Sequence, residues 1–177
     1  PALRWKLKGL LDYSVEQAVV DGIDVPVDPG LSSRQPLMLA ICAKKALVSE
    51  LGQQLMEAGF NLQSVDVHAL AQRNIAHLLE YEERALVTIS LLPRGCLMTF
   101  TAKGELYHTR VIELDRDFMH DRDEIFRTNF DKLVLELQRS MDSFDRQFPY
   151  LSVNRLVVAP VPHRDYLVSG LSSSLYV

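Results

Sequence analysis

The sequence predicts an α/β fold, and three observations carry that reading. The first half alternates apolar strand-like runs (Leu37–Ala43, Leu62–Val67) with amphipathic helical stretches (Lys44–Ala58, Ala69–Glu82). The second half opens on three strand-like runs, Ala85–Leu92, Cys96–Ala102 and Leu106–Leu114. Their joints, Pro93-Arg94-Gly95 and Lys103-Gly104, are short and carry glycine, which makes an antiparallel meander. A long helical stripe and one more apolar strand, Arg155–Val161, close the pattern. Meander, helix, parallel strand is the shape of a ribonuclease H-like half, and the helix should cross back right-handed.

Composition agrees with a folded, water-soluble chain. Its 177 residues suit one domain or two small ones, and 47% apolar with 24% charged residues argues against disorder. Lys and Arg number 19 against 23 Asp and Glu, a net charge of −4, which excludes a whole-protein electrostatic case for nucleic acid or anionic lipid. No apolar stretch approaches the roughly 18 residues of a membrane span, and the N-terminus lacks the blocks of a signal peptide. Cys42 and Cys96 sit in apolar runs without metal-type spacing, so they read as buried, reduced thiols of a cytoplasmic protein.

Element by element, Ala2–Leu11 reads as a helix with Leu3, Leu7 and Leu10 on one face. Its start has no cap, which leads us to expect that the chain begins inside a larger protein. Glu16–Val25 is extended, and Pro26–Pro36 is a loop with three prolines. Leu37–Ala43 has the unbroken apolar character of a strand covered on both faces. Lys44–Ala58 places Leu47, Leu51, Leu55 and Ala58 inward, and Gly59 supplies the left-handed stop. Ala69–Glu82 should bury Leu70, Ile75, Leu78 and Leu79, with Asp66 as N-cap. From about Arg122 to Phe148, Phe126, Phe130, Leu133, Leu137, Met141, Phe144 and Phe148 step by 4, 3, 4, 4, 3 and 4, a single buried stripe on a long helix. Pro149 ends it, and Pro162–Ser169 begins a further helical or loop segment.

Several strings resemble one known family. Ala2-Leu3-Arg4-Trp5-Lys6 with Ser14 to Asp21, the run Leu37 to Lys45, Glu57-Ala58-Gly59-Phe60, Val65-Asp66-Val67 and Ala71-Gln72-Arg73-Asn74 are similar to conserved blocks of the PilM-type actin-like proteins, and among them to the MshI subfamily of the mannose-sensitive haemagglutinin (MSHA) type IV pilus. The resemblance spans nearly the whole chain. It implies a partial actin-like ATPase fold of the ribonuclease H-like class, with a small inserted αβ subdomain. Residues 1–43 would then be part of that subdomain, 44–84 the end of a first lobe and 85–177 most of a second. It also implies a place beneath a pilus assembly platform, cytoplasmic and held peripherally at the inner membrane through partners.

The same resemblance locates a nucleotide site. The family's Asp-x-Gly on the first strand of the second lobe falls on Thr88 and Ser90, and its phosphate turn on Leu91-Leu92-Pro93-Arg94. The acid and the glycine are gone, and Pro93 removes an amide donor; only Arg94 is cationic. The family's glycine-rich adenosine turn falls on Ala159-Pro160-Val161-Pro162, which has no glycine. Thr88, Ser90 and Arg94 are thus degenerate nucleotide positions, and no cofactor is expected.

Other patterns are weaker. Asp115-x-Asp117 with His120, Asp121, Asp123 and Glu124 has metal-ligand residue types, yet acids at a helix start have a simpler reading in the helix dipole. His108 reads as a satisfied surface residue, and no serine has a hydrolase setting. Trp5 reads as core, with an interface anchor as the rival. In the family, the cytoplasmic tail of a PilN-like inner-membrane protein docks beside the inserted subdomain. Trp5, Leu7, Val20, Ile23, Leu39 and Ile41 are the residues that would line such a groove. The expectation is therefore a non-enzymatic scaffold that binds this tail, with the assembly ATPase and a second copy as further partners, and with no nucleic acid. The rival reading is an active actin-like ATPase whose remaining chain supplies the nucleotide site.

Overall fold

The computed structural model describes residues 2–28, 30, 36–81, 84–93, 95–115, 124–161 and 164–175. They form two compact units, Pro1–Asp66 and Val67–Val177.

In the first unit, α1 (Ala2–Leu7) is shorter than its pattern suggests. Gly9, a poor helix residue, follows, and the chain loosens into turns in which the Lys8 and Leu10 amides donate to Trp5 and Leu7 carbonyls. Leu3 and Leu7 hold the inner face of α1. Trp5 lies two residues from each, on the far side of a 3.6-residue turn, and is 79% exposed rather than core. The strands β1 (Ala18–Val25) and β2 (Leu37–Lys44) pair antiparallel, from Ala18 opposite Lys44 to Val25 opposite Leu37. β2 is not covered on both faces: Leu37 and Met38, which point to opposite faces, are both exposed. After β2, α2 (Lys45–Glu57) ends at Gly59, whose φ of +86° is the left-handed stop the sequence asks for.

The leucine stripe of α2 does not point inward. Leu47, Leu51 and Leu55 are all exposed, and the buried position is Gly52, one residue round the helix and beside Leu62. Spacing defines an apolar face without saying that a neighbour covers it. Leu62–Val67 forms no strand, because no strand among the described residues lies alongside to complete its backbone hydrogen bonds.

The second unit begins with α3 (His68–His77), whose N-cap is Val67 in an extended conformation, not Asp66. The meander is as expected: β3 (Ala85–Leu92), β4 (Gly95–Ala102) and β5 (Glu105–Glu113) pair antiparallel. Gly95 has a φ of +147°, and a side chain there would come within 2.1 Å of the Ile112 carbonyl oxygen, so only glycine lets β4 start against β5. A long α4 (Glu124–Gln147) leads to β6 (Val153–Val158), parallel to β3, and then to α5 (Arg164–Ser174). The sheet order is β5-β4-β3-β6.

The core lies between this sheet and α4. Phe126, Leu133, Leu137, Phe144 and Phe148 of the predicted stripe are all buried. The Phe144 ring stacks on Phe100 at 4.8 Å, and Phe148 meets Tyr107 edge-on at 5.1 Å. On β5 and α4, Arg110 pairs with Glu136 and reaches the Ser140 hydroxyl, tying strand to helix beside this aromatic cluster.

Candidate functional site

Side chains alternate across β3 and β4, and the register sets Thr88 opposite Thr99, Leu86 opposite Thr101 and Ser90 opposite Leu97 on one sheet face. A helix lies on that face. α3 presents the stripe Ala69, Gln72, Ala76 to it, with Gln72 and Ala76 buried; of the four residues expected inward, Leu70 is half-buried, while Ile75, Leu78 and Leu79 are exposed, the reverse of the sequence expectation for those three. The Gln72 side-chain nitrogen donates to the Thr88 carbonyl oxygen at 2.8 Å and to Thr99 Oγ1 at 2.9 Å. Its Oε1 accepts from Ser90 Oγ. Leaving a buried polar atom unpaired is costly, so a single carboxamide that bonds both strands fixes the face of α3 more firmly than its leucines do.

Thr88 and Ser90, the positions that the resemblance assigns to a degenerate nucleotide site, lie on this face. Thr88 is only 4% exposed, and its hydroxyl has no hydrogen-bond partner among the described residues. Ser90 is committed to Gln72. No acid stands on β3, so this strand offers no carboxylate to a divalent cation or an attacking water. Arg94 lies outside the described residues. At the second expected turn, the Ala159 amide donates to the Ile89 carbonyl at 2.8 Å. Pro162 lies outside the described residues.

The other candidates resolve into local structure where they are described. Asp115 accepts from Asn129 of α4, which also accepts the Asp115 amide, a clasp at the start of the helix. Asp117, His120, Asp121 and Asp123 lie outside the described residues, and among the rest no three His, Cys, Asp or Glu side chains converge on a metal site. His108 is half-buried rather than on the surface: its ring meets Phe100 at 5.5 Å, and burial, with Arg110 nearby, lowers its pKa. Burial pushes the Cys96 thiol up to about 12, whereas Cys42 is only half-buried; both are free.

The six residues expected to line a peptide groove are placed as follows. Ile23, Leu39 and Ile41 share one face of the β1–β2 ribbon, in the register Ile23 opposite Leu39 and Asp21 opposite Ile41. All three are partly exposed, and Val19 beside them is exposed. Val20 faces the other way, onto the side where Leu3 of α1 reaches Gly22. Leu7 is 8% exposed, and Trp5 projects into solvent. The ribbon thus brings three of the six together. Gln72 is the residue that sequence reasoning passed over; the signal was there in Ala69, Gln72, Ala76, an i, i+3, i+7 stripe with one polar member.

No helix among the described residues is long and apolar enough to cross a membrane. Neither a protein-family model nor a curated protein sequence matches the chain. Solved structures do. The chain superposes on the "PilM-PilN type IV pilus biogenesis complex" with a TM-score of 0.66 at 18% identity, over 97% of its own length. It also superposes on a Bacteroides thetaiotaomicron protein described as having an actin-like ATPase fold and unknown function, with a TM-score of 0.54 at 8% identity and 97% coverage. The chain spans 59% and 57% of the length of those two chains. At such identities the likeness shows fold, and with the two sheets, the meander and the long helix it shows this one: the chain has an α/β, actin-like ATPase fold, in part.

Proposed function

We propose that this protein is a non-catalytic actin-like scaffold of a type IV pilus assembly platform, of the MSHA type, that holds the cytoplasmic tail of a PilN-like inner-membrane partner. The observation that carries the proposal is the superposition on the PilM–PilN complex over 97% of the chain. The family strings in the sequence, from Arg4-Trp5 to Arg73-Asn74, support it independently. The partner's tail would lie on the ribbon face of Ile23, Leu39 and Ile41, where apolar side chains sit beside strand edges that no strand among the described residues pairs. Binding to a flexible tail is weak, because ordering the tail consumes contact energy, and membrane anchoring of the partner offsets this by raising its local concentration. The protein would act at the cytoplasmic face of the inner membrane, recruited by that contact.

The non-catalytic part of the proposal rests on Thr88 and Gln72. Thr88 is buried on β3, and the Gln72 carboxamide from α3 bonds the strand beside it, which supports a reading without Mg-ATP. The test is a pull-down of the full-length protein by a PilN-like tail fused to a carrier, with and without Mg-ATP. Retention that is indifferent to nucleotide is the expected result. Failure to retain the protein, or retention only with nucleotide, contradicts the proposal.

A further inference from the structure

We propose that α3 is a detachable cover: it leaves the sheet while β3, β4, β5 and α4 stay folded, and so bares a strip of hydroxyls. The two faces of this sheet are held by different forces. On one face Val87, Ile89, Met98 and Phe100 are buried, and Phe144 of α4 stacks on Phe100. On the other, the register lines up Thr88, Ser90, Thr99 and Thr101. Only two α3 side chains are fully buried, the carboxamide of Gln72 and the methyl of Ala76. No large apolar side chain of this helix is among them.

What pins α3 is polar. Gln72 bonds the Thr88 carbonyl, Thr99 Oγ1 and Ser90 Oγ. Just past the helix, Glu80 Oε2 accepts from the Gly104 amide at 2.8 Å, and the Leu79 carbonyl accepts from Arg155 at 2.6 Å. Groups freed from such bonds are taken up by water at small net cost, whereas uncovering apolar surface costs in proportion to its area. Lifting α4 would uncover rings and leucines. Lifting α3 uncovers hydroxyls and an amide, with Leu86 and Leu97 the large apolar residues of β3 and β4 on that face. Thr88 Oγ1 and Thr101 Oγ1 are also buried there without a partner among the described residues, an unfavourable state that water relieves on opening. Once detached, a helix of 10 residues is too short to persist in water, so the opening is a local order-to-disorder step. Such a cover gives the fold a second state, and a ligand that bonds the bared strip would hold it open by binding that state better. The step lies wholly within the second unit and rests on neither the tail-binding nor the nucleotide reading.

The test uses two thiols on one strand. Cys96 and Thr101 are both 0% exposed, yet they lie on opposite faces of the sheet, Cys96 on the side of Phe100 and Thr101 on the side of Thr99. Thr101→Cys changes little volume and loses no hydrogen bond to a described residue. The full-length variant is treated with iodoacetamide, and the labelled sites are read by mass spectrometry. The Thr101→Cys thiol should be labelled at least tenfold faster than Cys96. Its rate should rise less steeply with urea, because a local opening exposes less surface than unfolding does. Adding Gln72→Ala should speed it at least tenfold more. A second readout needs no new thiol: in the parent protein, the amides of Gln72 to His77 should be at least tenfold less protected from hydrogen exchange than those of Met98 to Phe100. Equal labelling of the two thiols with equal urea slopes, or equal protection of α3 and β4, would overturn the proposal, since α3 would then leave only when the whole unit unfolds. A Thr101→Cys rate that Gln72→Ala leaves unchanged would overturn it as well.

Discussion

The side-chain nitrogen of Gln72 donates to the Thr88 carbonyl at 2.8 Å, from a helix that leaves Ile75 and Leu78 bare to solvent. One buried amide, reaching β3 and β4 together, decides how α3 lies on the sheet.

Gln72→Leu should therefore destabilise the second unit by about 1–3 kcal/mol, because the Thr88 carbonyl, Thr99 Oγ1 and Ser90 Oγ all lose their partner in a buried site. Combining it with Thr99→Val should cost less than the sum of the two single changes, since the second removes a group the first has orphaned. Urea unfolding of the three variants measures this. Strict additivity would mean that the network is incidental.

How much of this was legible in the sequence divides along a physical line. The meander and α4 were readable because their signals are local: glycine at two tight joints, and seven apolar residues in one unbroken stripe. The faces of α2 and α3 were not, because Leu51 and Ile75 mark an apolar side without marking a neighbour to cover it. Leu62–Val67 failed as a strand for the same reason, since a strand is defined by the chain beside it. At the candidate site, the resemblance alone marked Thr88 and Ser90, as the positions of a family acid and glycine. The carboxamide that closes over them came from a residue 16 positions away, and only the fold brings it there.

On the acid side, stability should fall as pH drops below about 6.5. His108 has a pKa lowered by burial and by Arg110, so the unfolded chain takes up its proton first, and protonation favours unfolding. His108→Phe, which keeps contact with Phe100, should flatten the dependence between about pH 6.5 and 5. Thermal midpoints across this range read it out, and an unchanged slope would assign the acid sensitivity elsewhere.

On the alkaline side the sign reverses. Cys96 is raised from 9.0 to about 12 by burial. Tyr107 is raised from 10.0 to about 12, chiefly by burial, with Tyr150, Glu105 and Glu80 adding to it. Both groups hold their protons longer when folded, so their contribution is intact below pH 9 and is lost progressively as pH rises towards 12. Cys96→Ala should delay the onset of this loss by about one pH unit, leaving Tyr107 to set it. In the native protein, iodoacetamide should modify half-buried Cys42 well before Cys96, which should react only at the rate of unfolding. Equal labelling of the two thiols would show that the β4 core opens far more readily than its packing implies.

Trp5→Ala should leave the unfolding free energy within about 0.5 kcal/mol of the parent, because the ring is 79% exposed. If Trp5 takes part in holding the partner's tail, the same variant weakens pull-down. Thr88→Ala, on the face closed by α3, should leave pull-down unchanged. A large loss of stability in Trp5→Ala would return that ring to the core. Unchanged stability together with unchanged pull-down would remove it from the docking surface.

The most direct test of the account is a calorimetric titration of the full-length protein with a synthetic PilN-like cytoplasmic tail, run in the absence and then in the presence of Mg-ATP. A saturable dissociation constant of about 10–100 µM, equal in both runs, with no heat from Mg-ATP alone, is the result expected of the proposed non-catalytic scaffold. Mg-ATP binding tighter than about 100 µM, or tail binding that appears only with nucleotide, would contradict it.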